Sequence, residues 1–378
     1  MKFLFSAVAA AACGLLVCAP ARAADIAATY QLNAAHDGQI KFVKPFTGPL
    51  VRKWSVDLGG GVSSPVFADG RVFVAVSKNE GTYLDALDAS SGTVLWEVNT
   101  QASLQPAYDE GHVYMVNGSG LVQAYNATDG SIAWTEQQDG QGFYYSSPVA
   151  SGGNVFFLGA SSGDLTARNG KRGTFRWDAG AGGTEMLPAV VGSTVFTASP
   201  CNVFAFDTKT GETRWAFQTG CSGGGGGMPI YFEDRIYVND GAESVVLNAQ
   251  NGKKVRNLAT FFYPPAFWTN SSGNSLGFVL DDVSRLRAFD TVTGQKVWTT
   301  KLGFGTPPLV INDTIVIGRG FDLYGLDVKT GAVLWSQSLD VSISVGFFNA
   351  PLGFGAGGNR LFVPNDTAIS AWQPPKSN

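Results

Sequence analysis

Charge is scarce in this chain. Only 15% of its 378 residues are charged, with 26 Lys and Arg against 30 Asp and Glu and a formal net charge of -4. No basic cluster exists to neutralise phosphates, which excludes nucleic acid as a partner, and no basic amphipathic helix is present for a membrane surface. Histidine is scarcer still, with only His36 and His112. A Ser-His-acid hydrolase therefore has little material, and both residues read as turn or hydrogen-bonding side chains. The GASSG run at 159–163 matches a nucleophile elbow but falls between strands rather than between strand and helix. GFGAGG at 353–358 has no βαβ unit around it, as a dinucleotide site requires. The apolar run at residues 3–19 falls short of the ~20 residues of a bilayer span.

That run opens MKFLFSAVAAAACGLLVCAPARA, with Lys2 before it and Ala21-Arg22-Ala23 after it. It reads as a secretory signal peptide over 1–23, cleaved before Ala24. Val17 before Cys18 is not small and Ala10 stands where a lipid-attachment site at Cys13 has an aliphatic residue, so a soluble periplasmic or secreted protein is expected, with a lipoprotein as the alternative and no integral membrane segment after cleavage. Of the four cysteines only Cys201 and Cys221 would remain, and in an oxidising compartment a lone pair reads as a disulfide.

Glycine, by contrast, is abundant at 48 residues, and it recurs in a fixed phrase. LDALDASSGTVLW (84–96), VQAYNATDGSIAW (122–134), LTARNGKRGTFRW (165–177), VFAFDTKTGETRW (203–215), VVLNAQNGKKVR (245–256), LRAFDTVTGQKVW (286–298) and LYGLDVKTGAVLW (323–335) are seven copies. Each is an alternating run, an Asp or Asn, a Gly turn and another alternating run, the pattern of a β-hairpin. Looser strand-turn-strand segments, such as SSPVFADGRVFVAVS (63–77), precede them. The unit is thus four antiparallel strands in about 40 residues, which means propeller blades.

KWSVDL (53–58) is a last strand without its first three, and NRLFVPNDTAISAW (359–372) is the complementary piece. The expectation is an all-β, eight-bladed propeller over 50–373, closed by the N-terminal strand joining the C-terminal blade. A 24–49 extension and a 374–378 tail flank it. Trp96, Trp134, Trp177, Trp215, Trp298 and Trp335 end six of the phrases, Arg256 replaces Trp in the seventh, Trp54 stands in the same register in KWSVDL, and all seven Trp are expected to dock one blade on the next.

The A-[LFY]-D-x-x-T-G-x-x-x-W phrase resembles the PQQ-like, or quinoprotein-type, repeat, over about residues 50–373. That family includes eight-bladed quinoprotein alcohol dehydrogenases and BamB-like non-enzymatic propellers. The dehydrogenase branch implies pyrroloquinoline quinone (PQQ) held between a Trp floor and a disulfide of adjacent cysteines, with calcium on acidic and amide side chains. Cys201 and Cys221 are not adjacent, and only Asp281-Asp282 and Asp240-Glu243 lie where such a metal could sit. The scaffold branch implies no cofactor, no catalytic residues and no metal, with an envelope protein or a glycan as partner. The expectation leans to that branch, although YQLNAAHDGQIKF (30–42) matches nothing in it.

Three variable loops are aromatic: GFYYSS (142–147), FFYPPAFW (261–268) and GFFNAP (346–351). Phe143, Tyr144, Tyr145, Phe261, Phe262, Tyr263, Phe267, Trp268, Phe347 and Phe348 are expected to gather at the channel mouth. There they would form an apolar binding surface or plug the wide channel of an eight-bladed ring.

Overall fold

The computed structural model describes residues 26–102, 105–138, 145–159, 161–218, 227–239, 244–259, 261, 263–343 and 353–375. Its strands form eight antiparallel sheets, one per blade. Blade 1 is Val66–Ala68, Arg71–Lys78, Gly81–Asp88 and Val94–Asn99, from the axis outward, with the short strand Gly61–Val62 also on Arg71–Lys78. The inner strands of blades 2 to 8 are Ala107–Asp109, Val149–Ser151, Ala189–Val191, Ile230–Phe232, Ala266–Thr269, Leu309–Ile311 and Gly355–Gly357. Closure follows the expected route: Val51–Asp57 pairs antiparallel with Ala368–Gln373, placing Asp57 opposite Ala368. The ring so formed has no open joint between its first and last blades.

Local chemistry dictates each hairpin. The first two strands of a blade meet in tight turns such as Asp69-Gly70 and Glu110-Gly111, where both residues hold positive φ, as a two-residue hairpin requires. In the turn between third and fourth strands an Asp or Asn caps the backbone. Asp207 Oδ1 accepts from the N–H groups of Lys209 and Thr210, and Asp327 Oδ1 from those of Lys329 and Thr330. The Gly that follows, at φ +73° in Gly211, also meets the Trp of the preceding blade. A Cβ there would lie 2.6 Å from the Trp177 ring, so glycine is required both for conformation and for space.

That contact joins the blades. Trp177 Nε1 donates to the Thr208 carbonyl at 3.1 Å, the residue just after the capping Asp207 of the next blade. Trp54, Trp96, Trp134, Trp215 and Trp298 donate in the same way to Ala89, Ala127, Gly170, Ala249 and Val328. Arg256 takes the place of Trp in blade 5, its guanidinium donating to the carbonyls of Thr291 and Val292 while its stem lies on Gly294. Trp335 meets a different partner, since the next blade has no such turn: its ring packs on Gly48 of the N-terminal segment.

Candidate functional site

In seven blades a two-residue turn leaves the middle residue of the inner strand non-bonded to the second strand, and in blade 6 the longer loop 270–274 leaves Phe267 in the same register. The N–H and C=O of that residue therefore point at the axis. In six blades that N–H is taken by one continuous stretch of chain. The amides of Phe67, Tyr108, Val190, Tyr231, Phe267 and Val310 donate to the carbonyls of Ala27, Ala28, Ala34, Ala35, Asp37 and Gly38, at 2.7–3.0 Å. Ala27 N–H returns a bond to the Phe67 carbonyl, and Gln39–Ile40 then pairs parallel with the inner strand of blade 7. Tyr30 reaches the other two blades. It packs in the cluster of Val149 in blade 3, and its ring lies on Gly353 beside the inner strand of blade 8. The N-terminal extension is therefore no separate tail, because residues 27–40 occupy the channel at the height of the inner strands.

The channel segment is tightly held but imperfectly satisfied. His36 is fully buried, with Nδ1 2.8 Å from the Tyr30 carbonyl and Nε2 3.0 Å from the Pro188 carbonyl. A neutral imidazole can donate to only one of them, while burial holds the group below its ordinary pKa and so opposes the charged form that would satisfy both. Burial also raises the Asp37 carboxyl, against hydrogen bonds from Asn33 and Gln39. Thr29 Oγ1, the Tyr30 hydroxyl and both amide atoms of Gln31 are buried without a hydrogen-bond partner among the described residues.

The described aromatic residues of the three loops do not converge. Tyr145 is 4% exposed and lies edge-on to Phe157 in a cluster between blades 2 and 3. Phe261 and Phe267 are buried between blades 5 and 6, where Phe267 stacks on Phe232 at 4.3 Å. Trp268 is buried with blade 7, and half-buried Tyr263 packs on the same cluster. Phe267 and Trp268 are residues of the inner strand Ala266–Thr269, not of the loop before it. Trp268 accordingly points to the opposite end of the propeller, donating its indole N–H to Asp313 at 2.7 Å beside a cavity of about 630 Å³. These four buried side chains are interblade packing and offer no surface. Phe143, Tyr144, Phe262, Phe347 and Phe348 lie outside the described residues.

Exposed apolar side chains stand elsewhere. Val94, Ile132, Phe175 and Val333, each two residues before a docking Trp, are 41–59% exposed. They repeat around the rim at the turn between third and fourth strands, and Val43 beside the cavity is 94% exposed. The spacing from Trp was the sequence signal for this rim.

The quinone and metal requirements find no match among the described residues. Cys201 sits between Pro200 and Asn202 in the turn before the third strand of blade 4, at φ +70°, and Cys221 lies outside the described residues. Asp281 is engaged by Arg285 in an ion pair of 2.9 Å and caps its own turn. Asp240 and Glu243 lie outside the described residues, and among those described no three His, Cys, Asp or Glu side chains cluster for a metal. The axial space is held by residues 27–40. The described residues alone do not assemble the donor set that PQQ with calcium would need.

Comparison with known proteins places the fold. The family described as outer membrane protein assembly factor BamB matches at residues 36–216, 201–342 and 282–371. The chain is 26% identical to the outer membrane protein assembly factor BamB of Yersinia pestis over 295 residues, 72% of each protein. Among solved structures, BamB from Moraxella catarrhalis superposes with a TM-score of 0.67 at 16% identity, covering 88% of this chain and 99% of that one. A quinohemoprotein alcohol dehydrogenase from Comamonas testosteroni gives 0.73 at 15% identity, with 95% and 83% covered, so the superpositions speak for the fold alone. With the family match running through all eight blades, the chain belongs to the BamB family of PQQ-like eight-bladed propellers.

Proposed function

We propose that this chain is a non-catalytic scaffold of the cell envelope, periplasmic or secreted, that binds protein partners in outer-membrane protein assembly and uses no quinone or metal. The observation that carries the reading is the family match across residues 36–371, to a family and to relatives named as outer membrane protein assembly factors. Two features of the molecule support it. The axis is filled by the chain's own residues, and Asp281, one of the acids expected to hold calcium, is engaged by Arg285 and caps its own turn. The repeated apolar rim of Val94, Ile132, Phe175 and Val333 offers contact area outside the channel.

Deleting the gene in its native host tests this. Folded outer-membrane β-barrel protein should fall and should return with a wild-type copy. An unchanged outer membrane, together with loss of a PQQ-dependent dye reduction, would overturn the proposal in favour of a dehydrogenase. Capture of glycan rather than protein would keep a binding role but replace the partner.

A further inference from the structure

We infer that the channel is a binding site for an extended polypeptide, and that residues 27–38 are a built-in occupant which a partner's alanine- and glycine-rich segment can replace. The inference rests on the scaffold reading and names the partner chemistry of one of its surfaces.

The first ground is the ring of inward amides. One pseudo-equivalent N–H per blade faces the axis, and six of them bind carbonyls of a single passing strand. Main-chain bonds of this kind supply affinity, as in strand addition to a sheet edge, and the space around them decides which side chains fit. The second ground is size. Of the residues that supply those carbonyls, Ala27, Ala28, Ala34, Ala35 and Gly38 are small and only Asp37 is not. Gly38, at φ +64°, leaves 2.9 Å between a Cβ and the Ala266 side chain, so the channel admits little more than a bare backbone there.

The third ground is the poor fit of what the segment does carry. Thr29 Oγ1, the Tyr30 hydroxyl and both Gln31 amide atoms are buried without partners among the described residues, and His36 faces two carbonyls with one proton to give. A buried polar atom without a protein partner favours insertion less than an apolar side chain of the same size would. A segment with small apolar side chains at those positions would make the same main-chain bonds without that disadvantage. Local conflict of this kind, in a sequence whose blades are otherwise consistent, marks a functional or strained site.

The test uses the full chain as secreted and a fluorescein-labelled synthetic peptide of residues 26–40 carrying Thr29→Val and Gln31→Leu, read by fluorescence anisotropy. One-to-one binding is expected, about tenfold tighter than for a scrambled peptide. Protein with Gly38→Val, which loosens its own segment, should bind about tenfold more tightly than wild type. Protein with Thr29→Val and Gln31→Leu in its own segment should bind about tenfold more weakly. Absence of binding by all three folded proteins, or equal binding of the scrambled peptide, overturns the inference. Should Gly38→Val fail to fold, wild type against the Thr29→Val/Gln31→Leu protein decides alone, and equal affinities overturn it. Peptide binding without any loss of outer-membrane protein on gene deletion refutes the scaffold reading alone. Loss of outer-membrane protein without peptide binding refutes the channel inference alone.

Discussion

Asp85 should make the joint between the first and last blades weaken as pH rises. It lies in the third strand of blade 1, Gly81–Asp88, is 1% exposed, and has no hydrogen-bond partner on either carboxyl oxygen. Strand alternation puts it on the same face as Leu87, which packs in the cluster of Trp54 and Phe362 from blade 8. Burial pushes its pKa from 3.8 up to about 7, Glu97 opposite it on the next strand adds to the rise, and Lys78, paired with Glu97, opposes it. A native pKa above the unfolded one means that the folded state holds the proton more tightly. The stabilisation is complete below about pH 4 and is lost as pH rises through 7. At about 1.4 kcal/mol per unit the loss between pH 4 and 8 is at most about 4 kcal/mol, and about 2 kcal/mol is a working value once local relaxation is allowed. Asp85→Asn removes that charge, so its change in stability between pH 5 and pH 8 should differ from the wild type's by about 2 kcal/mol in the variant's favour, and it should exceed wild type by about 1–2 kcal/mol at pH 8. Urea unfolding of both proteins at pH 5 and pH 8 measures this. A wild-type pH slope that persists in Asp85→Asn, or a variant less stable than wild type at pH 8, would refute the reasoning.

Gly211→Ala should cost about 2–3 kcal/mol, since it adds a clash with Trp177 to the strain of positive φ, whereas Gly70→Ala, at the same φ but with open space around it, should cost only about 1 kcal/mol. Equal costs in urea unfolding would remove the docking role of that glycine. Arg256→Ala should lose about 1–3 kcal/mol by deleting the donors to Thr291 and Val292, and Arg256→Trp should stay within about 1 kcal/mol of wild type; an unchanged melting curve for the alanine variant would show that blade 5 needs no such dock. Cys201 and Cys221 are expected to be bridged, closing a loop worth roughly 3 kcal/mol. Alkylation without prior reduction should then leave the mass unchanged, and a shift of two alkyl groups would rule the bridge out.

The blades were legible because their signals are local and repeated. An Asp or Asn, a Gly and a Trp at fixed spacing specify a turn and its dock without reference to distant residues, and complementary ends specify closure. Residues 27–40 carried no such signal. Their bonds are main-chain, made to strands as far away as Val310, and their side chains neither alternate nor repeat. The aromatic run FFYPPAFW was misread because its last residues belong to a strand. Pro stands immediately before the inner strand in seven blades, at Pro65, Pro106, Pro148, Pro188, Pro229, Pro265 and Pro308. That register puts Phe267 in the place of Phe67 and Val310, facing the core. Proline, which disfavours helix before it and starts an edge strand well, was the better guide than aromatic content.

The central claim is that this propeller works by binding an assembly partner. A benzophenone cross-linker placed at Ile132, and separately at Phe175, in the native host tests it most directly. The account predicts light-dependent adducts with outer-membrane assembly proteins from these rim positions. No adduct at either position, with the purified protein taking up PQQ and calcium stoichiometrically by absorbance, would contradict it.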